Sequence, residues 1–122
     1  HRTSHFDSPR YRDLLQTHPD LLLTACLLVI DTPGRRVIFS GDVGSVADVE
    51  PYLEGCDVLV HEAAHVEIED LRDLAVNHAI PHLVLTHLHP NIEGDPARIA
   101  AVFDDLYGGR LTIAQDGLRI PL

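Results

Sequence analysis

The stretch Val37-Ile38-Phe39-Ser40-Gly41-Asp42-Val43-Gly44-Ser45 joins an apolar run, biased toward β-branched residues, to a glycine-flanked carboxylate. Such a pattern is a buried strand whose carboxyl end delivers Asp42 into a loop. The event recurs twice: Asp57-Val-Leu-Val60 leads into His61-Glu62, and Leu83-Val-Leu-Thr86 leads into His87-Leu-His89. An Asp or His after one strand is ordinary loop chemistry. Three such ends carry more weight, because open α/β sheets bind ligands beyond the carboxyl ends of their strands. The spacing therefore predicts Asp42, His61 and His87 beyond neighbouring strand ends, on one edge of a sheet.

Outward from this stretch the chain alternates strand and helix. Residues 21–31 and 35–40 read as two strands of an antiparallel hairpin, joined by Asp31-Thr-Pro-Gly34, where proline presets the turn and glycine follows it. A short helix is expected after Ser45, which forms a start signal with Asp48; Pro51 kinks or delays it and Gly55 ends it. A second helix spans residues 67–78, with Ile68, Leu71, Leu74 and Ala75 on one face. A third starts at Asp95 as N-cap, with Pro96 in its first turn and Ile99, Val102, Phe103 and Leu106 on one face. Residues 110–115 and 118–122 read as closing strands around the Asp116-Gly117 turn. Residues 1–20 read as an irregular segment with one helical turn at 11–16. The sum is one α/β domain over residues 1–122, with parallel pairing and right-handed crossovers in the middle of a mixed sheet.

Composition narrows the function. Of the 122 residues 45 % are hydrophobic, enough for a packed core. Nine arginines, with no lysine, face 19 acids for a net charge of −10, a surface that repels nucleic-acid backbone. No apolar run approaches the roughly 20 residues of a membrane span, and no signal peptide is evident, so a cytoplasmic location is expected. Cys26 and Cys56 read as buried free thiols, without the paired spacing of a zinc knuckle. The chain has no methionine, so a piece of a longer protein is expected.

Zinc and similar ions take imidazole nitrogen and carboxylate oxygen, and one carboxylate can bridge two ions. Asp42 suits a bridge and His87 a terminal ligand, with Thr86 as the neighbour that orients it. His61 either bonds backbone or serves the site, and Glu62 either orients a ligand or is solvated. His18, His78, His82 and His89 read as loop or surface residues, and Arg35 and Arg36 as a solvated hairpin end.

Ser40-Gly-Asp42, Asp57-Val-Leu-Val-His-Glu-Ala63 and Leu85-Thr-His87-Leu-His-Pro90, with the closing Ala114-Gln-Asp-Gly117, resemble the later motifs of the metallo-β-lactamase fold. The likeness is to its ribonuclease Z and arylsulfatase-like branch. It implies half of an αββα sandwich, with Asp42 bridging two metals and His87 as the last metal-ligand histidine. Zn2+ is the implied ion, two per complete site, with Mn2+ or Fe as alternatives. It further implies His65, at the start of the second helix, as a catalytic acid, and an upstream metal histidine, His5 or alternatively His1. The H-x-H-x-D-H cluster that supplies most ligands in that family is absent, so the chain reads as the C-terminal half.

The expected function is a binuclear metal-dependent hydrolase of small phosphodiesters or related esters. His65 and Asp42 are its candidate catalytic residues, and Asp42, His87 and His5 its candidate metal ligands. A lactone or thioester hydrolase on the same fold is the alternative, as is a non-catalytic half that assembles with a partner. The missing N-terminal half is the expected partner. Long nucleic acid is not expected to bind this half alone, nor is a membrane, and homo-oligomer formation stays open.

Overall fold

In a computed structural model residues 1–93, 95–104 and 106–121 are described. Strands β1 (Leu28–Thr32), β2 (Arg35–Phe39), β3 (Val58–Ala63), β4 (His82–Leu88) and β5 (Arg110–Ile113) form one sheet in the order β1-β2-β3-β4-β5. The β1–β2 hairpin is antiparallel and the other pairings are parallel, giving the expected mixed α/β sheet. Helices α1 (Arg12–Thr17), α2 (Ile68–Asn77), α3 (Pro90–Glu93) and α4 (Pro96–Phe103) complete the architecture. Among the described residues no helix is long and apolar enough to cross a membrane.

Alternation along the strands decides which face each residue serves. Ile38, Leu59, Leu83 and Leu85 point toward α2 and α4 and pack with Ile68, Leu71, Leu74, Ile99 and Phe103. Asp95 caps α4 by accepting from the Arg98 N–H at 2.9 Å. The opposite face is also apolar. Val37, Val58 and Val84 form a small buried cluster with Val60, Ala114 and Ile120 against it. Leu28, Ile30, Phe39 and Leu118 remain exposed.

Several expected elements are corrected. Residues 21–27 are not a strand: apart from an isolated antiparallel bridge of Cys26 to Arg2, flanked by Thr3 N–H to Ala25 O and Leu27 N–H to His1 O at 2.9 and 2.8 Å, they are irregular. Cys26 is exposed there, while Cys56 is buried and burial pushes its thiol up to about 11. The helix after Ser45 is two 3-10 turns, Val46–Asp48 and Glu50–Tyr52, with Pro51, which has no N–H, at the start of the second. The third helix stops at Phe103, leaving Leu106 exposed outside it. Residues 118–121 form no strand; after the turn that bonds Leu118 N–H to Gln115 O they lay Ile120 on the open sheet face. Pro121 has no N–H to give an edge ladder. Leu122, the last residue of that expected strand, lies outside the described residues.

Two histidines also differ from expectation. His82 is buried, with Nε2 2.9 Å from Thr112 Oγ1. His61 is not beyond a strand end: it lies inside β3 on the helix side and is fully buried. Its Nδ1 donates to the Glu62 carbonyl at 2.6 Å, and among the described residues its Nε2 has no partner. Burial holds both imidazoles below the ordinary 6.5, with Arg110 adding to the effect at His82 and the Glu62 and Asp48 charges opposing it at His61.

A depressed histidine stays neutral in the fold while the unfolded chain takes up a proton below 6.5, so stability falls as pH drops below that value. Urea unfolding at pH 7.5 and 5.5 should therefore show a loss on acidification that is smaller in His61→Gln than in the parent. Equal losses would show that His61 carries none of the effect.

Candidate metal centre

The parallel pairing of β2, β3 and β4 sends three strand ends to the same edge of the sheet. At the end of β2, buried Ser40 ties the exit to β3: its N–H bonds Val60 O, and its hydroxyl accepts from Glu62 N–H at 3.0 Å. Gly41 follows at φ +55°, and a Cβ there would lie 2.3 Å from the Cys26 carbonyl oxygen. Only glycine permits this turn, and Asp42 emerges from it half exposed. Its carbonyl accepts from the Thr3 hydroxyl at 2.6 Å.

At the end of β4 the register slips. Glu62 pairs with Thr86 and Ala63 with Leu88, so His87 is the extra residue of a β-bulge. It sits at φ +48°, a left-handed conformation uncommon outside glycine. Such bulges re-aim side chains. Here the imidazole turns to the strand-end edge, with Nδ1 3.7 Å from Asp42 Oδ1.

At the end of β3 stands Glu62, a carboxylate only 2 % exposed. It accepts from Ala64 N–H at 2.6 Å, His65 N–H at 2.9 Å and Val43 N–H at 3.4 Å. Its Oε1 lies 3.1 Å from His65 Nδ1. An ionised carboxylate only accepts, so His65 carries its proton on Nδ1 and presents Nε2 outward. The His65 ring centroid is 4.6 Å from that of His5 and 5.5 Å from that of His87.

The N-terminal segment completes the cluster. Asp48 Oδ2 accepts from Ser4 N–H, Ser4 Oγ and Gly44 N–H at 3.0, 2.9 and 2.9 Å. Burial opposes its charge, but these donors outweigh it and hold the carboxyl below the usual range. A Cβ on Gly44 would come within 2.3 Å of Ser4 Oγ, so glycine sets the closeness of this contact. His5 is thereby buried against the Asp42 loop, with Nδ1 3.3 Å from Val43 O and Nε2 3.0 Å from the Tyr11 hydroxyl. His1 lies elsewhere, stacked on Tyr52 with its amino group on Leu27 O.

Asp42, His65, His87 and His5 thus meet at one place, and His1, the alternative to His5, does not. For Glu62 the sequence left two readings, orienting a ligand or solvated; it is buried near the end of β3 and bonded to His65. Tyr11 is the participant that sequence reasoning left without a role, since no local pattern pairs it with His5. His89 stays on the loop, its Nδ1 accepting from Asn91 N–H at 3.2 Å.

The donor chemistry fits a metal ion in part. Asp42 and His87 lie near enough to approach one ion, and His5 has its Nδ1 proton directed at a carbonyl, the arrangement that leaves Nε2 as a ligand atom. Among the described residues, however, no group of three or more His, Cys, Asp or Glu is gathered to hold an ion alone.

Comparison with known proteins agrees with this architecture. No family model matches the chain. It is 30 % identical over 98 residues to ribonuclease Z of Natronomonas pharaonis, covering 70 % of this chain and 32 % of that protein. It is 28 % identical over 103 residues to ribonuclease Z of Myxococcus xanthus and 34 % over 110 residues to that of Pseudomonas putida, covering 34 % of each. The chain thus spans about a third of the length of these relatives. In structure it is similar to the metallo-β-lactamase fold protein YhfI of Bacillus subtilis, with a TM-score of 0.67 and 21 % identity over 79 % of this chain and 44 % of that one.

The Asp48 clamp is directly testable. Asp48→Ala should cost about 1–3 kcal/mol, the scale of hydrogen bonds to a charged group. Amide exchange of residues 3–11 should accelerate while that of β3 and β4 stays slow. Unchanged exchange at Thr3 to His5 would show that the segment is held by other contacts.

Proposed function

We propose that this chain, a portion of the metallo-β-lactamase fold resembling the C-terminal half of a ribonuclease Z-like protein, supplies one side of a binuclear metal-dependent hydrolase site. The observation that carries the reading is the meeting of Asp42 and His87, 3.7 Å apart, with His65 beside them at the carboxyl end of three parallel strands. The remaining ligands would come from outside this chain. The exposed Leu28, Ile30, Phe39 and Leu118 around the buried Val37, Val58 and Val84 support a second layer packing there.

Asp42 would hold both ions, His87 one and His5 the other. The ions, with zinc as the first choice, would supply a Lewis acid and a nucleophilic water. The chain's own groups do the rest. Glu62 fixes the direction of His65 through Nδ1–H, and with a second proton on Nε2 the imidazolium so held can pass that proton to a departing oxygen, returning to the neutral Nδ1–H form. Tyr11 occupies the outward nitrogen of His5, so its hydroxyl must yield that position when His5 serves as a ligand.

The substrate class is small phosphodiesters or related esters. The net charge of −10 favours a small substrate over a long polyanion unless another part of the protein brings a basic surface. Lactone or thioester hydrolysis is the alternative on the same scaffold, since one fold hosts many chemistries.

In the full-length protein, His65→Ala should lower kcat toward bis(p-nitrophenyl) phosphate by about 10²–10⁴-fold, with metal content by elemental analysis unchanged. His87→Ala should lose metal and activity together. Unimpaired phosphodiester hydrolysis by His65→Ala would end the acid assignment and favour ester or lactone hydrolysis.

A further inference from the structure

Beside the histidine cluster lies a cavity of about 250 Å3, walled by His5, Ser8, Arg10, Gly44 and His65 among others, with no carboxylate in its lining. The cavity on the other side of His65 differs: it carries Glu67 and Glu69 as well as Arg98. Arg10 borders this cavity, and among the described residues no ion pair joins it to a carboxylate. Its guanidinium instead donates to the Tyr11 hydroxyl and lies over the Tyr11 ring, 4.5 Å from the centroid.

These contacts form a directed series. The Val43 carbonyl can only accept, so Nδ1 of His5 is the protonated nitrogen, and a neutral His5 takes the Tyr11 hydroxyl proton at Nε2. The Tyr11 oxygen accepts from Arg10, a bond that does not depend on where the Tyr11 hydroxyl proton goes. One guanidinium edge is spent in holding the side chain, and the other donors remain for a ligand. A planar guanidinium with a serine hydroxyl nearby, in a lining whose nearest carboxylates, Glu62 and Asp48, are already engaged by backbone donors, is suited to a tetrahedral oxyanion.

The geometry points to this cavity as an oxyanion subsite, in which Arg10, positioned by Tyr11 and aided by Ser8, takes a non-reacting phosphate- or sulfate-class group of the substrate. Its place beside the reacting centre rests on the hydrolase reading above; its capacity to bind an anion does not. A substrate with a second anionic group would span the two, with its ester at Asp42 and His65 and its anion at Arg10. Selectivity for small, doubly anionic esters follows.

The test is calorimetric titration of the full-length, metal-loaded protein with inorganic sulfate. Saturable binding is expected, weakened about tenfold or more in Arg10→Gln, the scale of a lost charge-assisted hydrogen bond. Arg10→Lys should retain more of it. Arg12→Gln, which removes a neighbouring exposed charge outside the cavity lining, should leave it intact, and metal content should be constant throughout. No saturable binding, equal binding by Arg10→Gln and the parent, or equal weakening by Arg12→Gln would overturn the subsite. If sulfate binding depends on Arg10 but the protein hydrolyses neither phosphodiesters nor other esters, the hydrolase reading fails and the anion site stands.

Discussion

A carboxylate buried at the end of the middle strand organises the functional edge of this molecule. Removing a charge from water is expensive unless donors replace the lost solvent. Glu62 is satisfied by three backbone N–H groups, from Val43, Ala64 and His65, and by the His65 ring. Those donors belong to two different strand exits. The carboxylate therefore joins the loop carrying Asp42 to the turn carrying His65, so the two cannot drift apart without leaving a buried charge unpaired. Such a break is typically among the most costly a core can suffer.

Around that tie, the other groups reach the same place by different physical means. Asp42 arrives through a glycine whose backbone nearly touches the Cys26 carbonyl. His87 arrives through a bulge, its backbone held left-handed by the ladders on either side. His5 arrives on a segment with little regular structure of its own, pinned by Asp48 and the Thr3 hydroxyl. The result is a cluster built on rigid strand ends, with one histidine on a tethered arm. Precision in a site comes from such support more than from the reacting groups themselves.

The two faces of the sheet tell a complementary story. One is closed by α2 and α4 over a continuous core, while the other keeps Leu28, Ile30, Phe39 and Leu118 exposed around a small valine cluster. Strands that are apolar on both faces belong between two layers. The chain matches about a third of the length of the ribonucleases Z to which it is similar.

The order of elements was legible in the sequence because strand alternation and helix periodicity are local. The strand-then-polar pattern marked Asp42 and His87 for the same reason, and parallel connection then required them to share an edge. The resemblance of the motifs, not their periodicity, picked out His65 and His5. His61 shows the limit: a histidine at a strand end looks equally apt for site or core, and only the register puts it inside β3, facing the helices. The bulge at His87, the bond from Val43 N–H to Glu62 and the seat of His5 against Val43 were decided by tertiary structure alone. Each joins groups distant in sequence, whose contact exists only after the chain has folded.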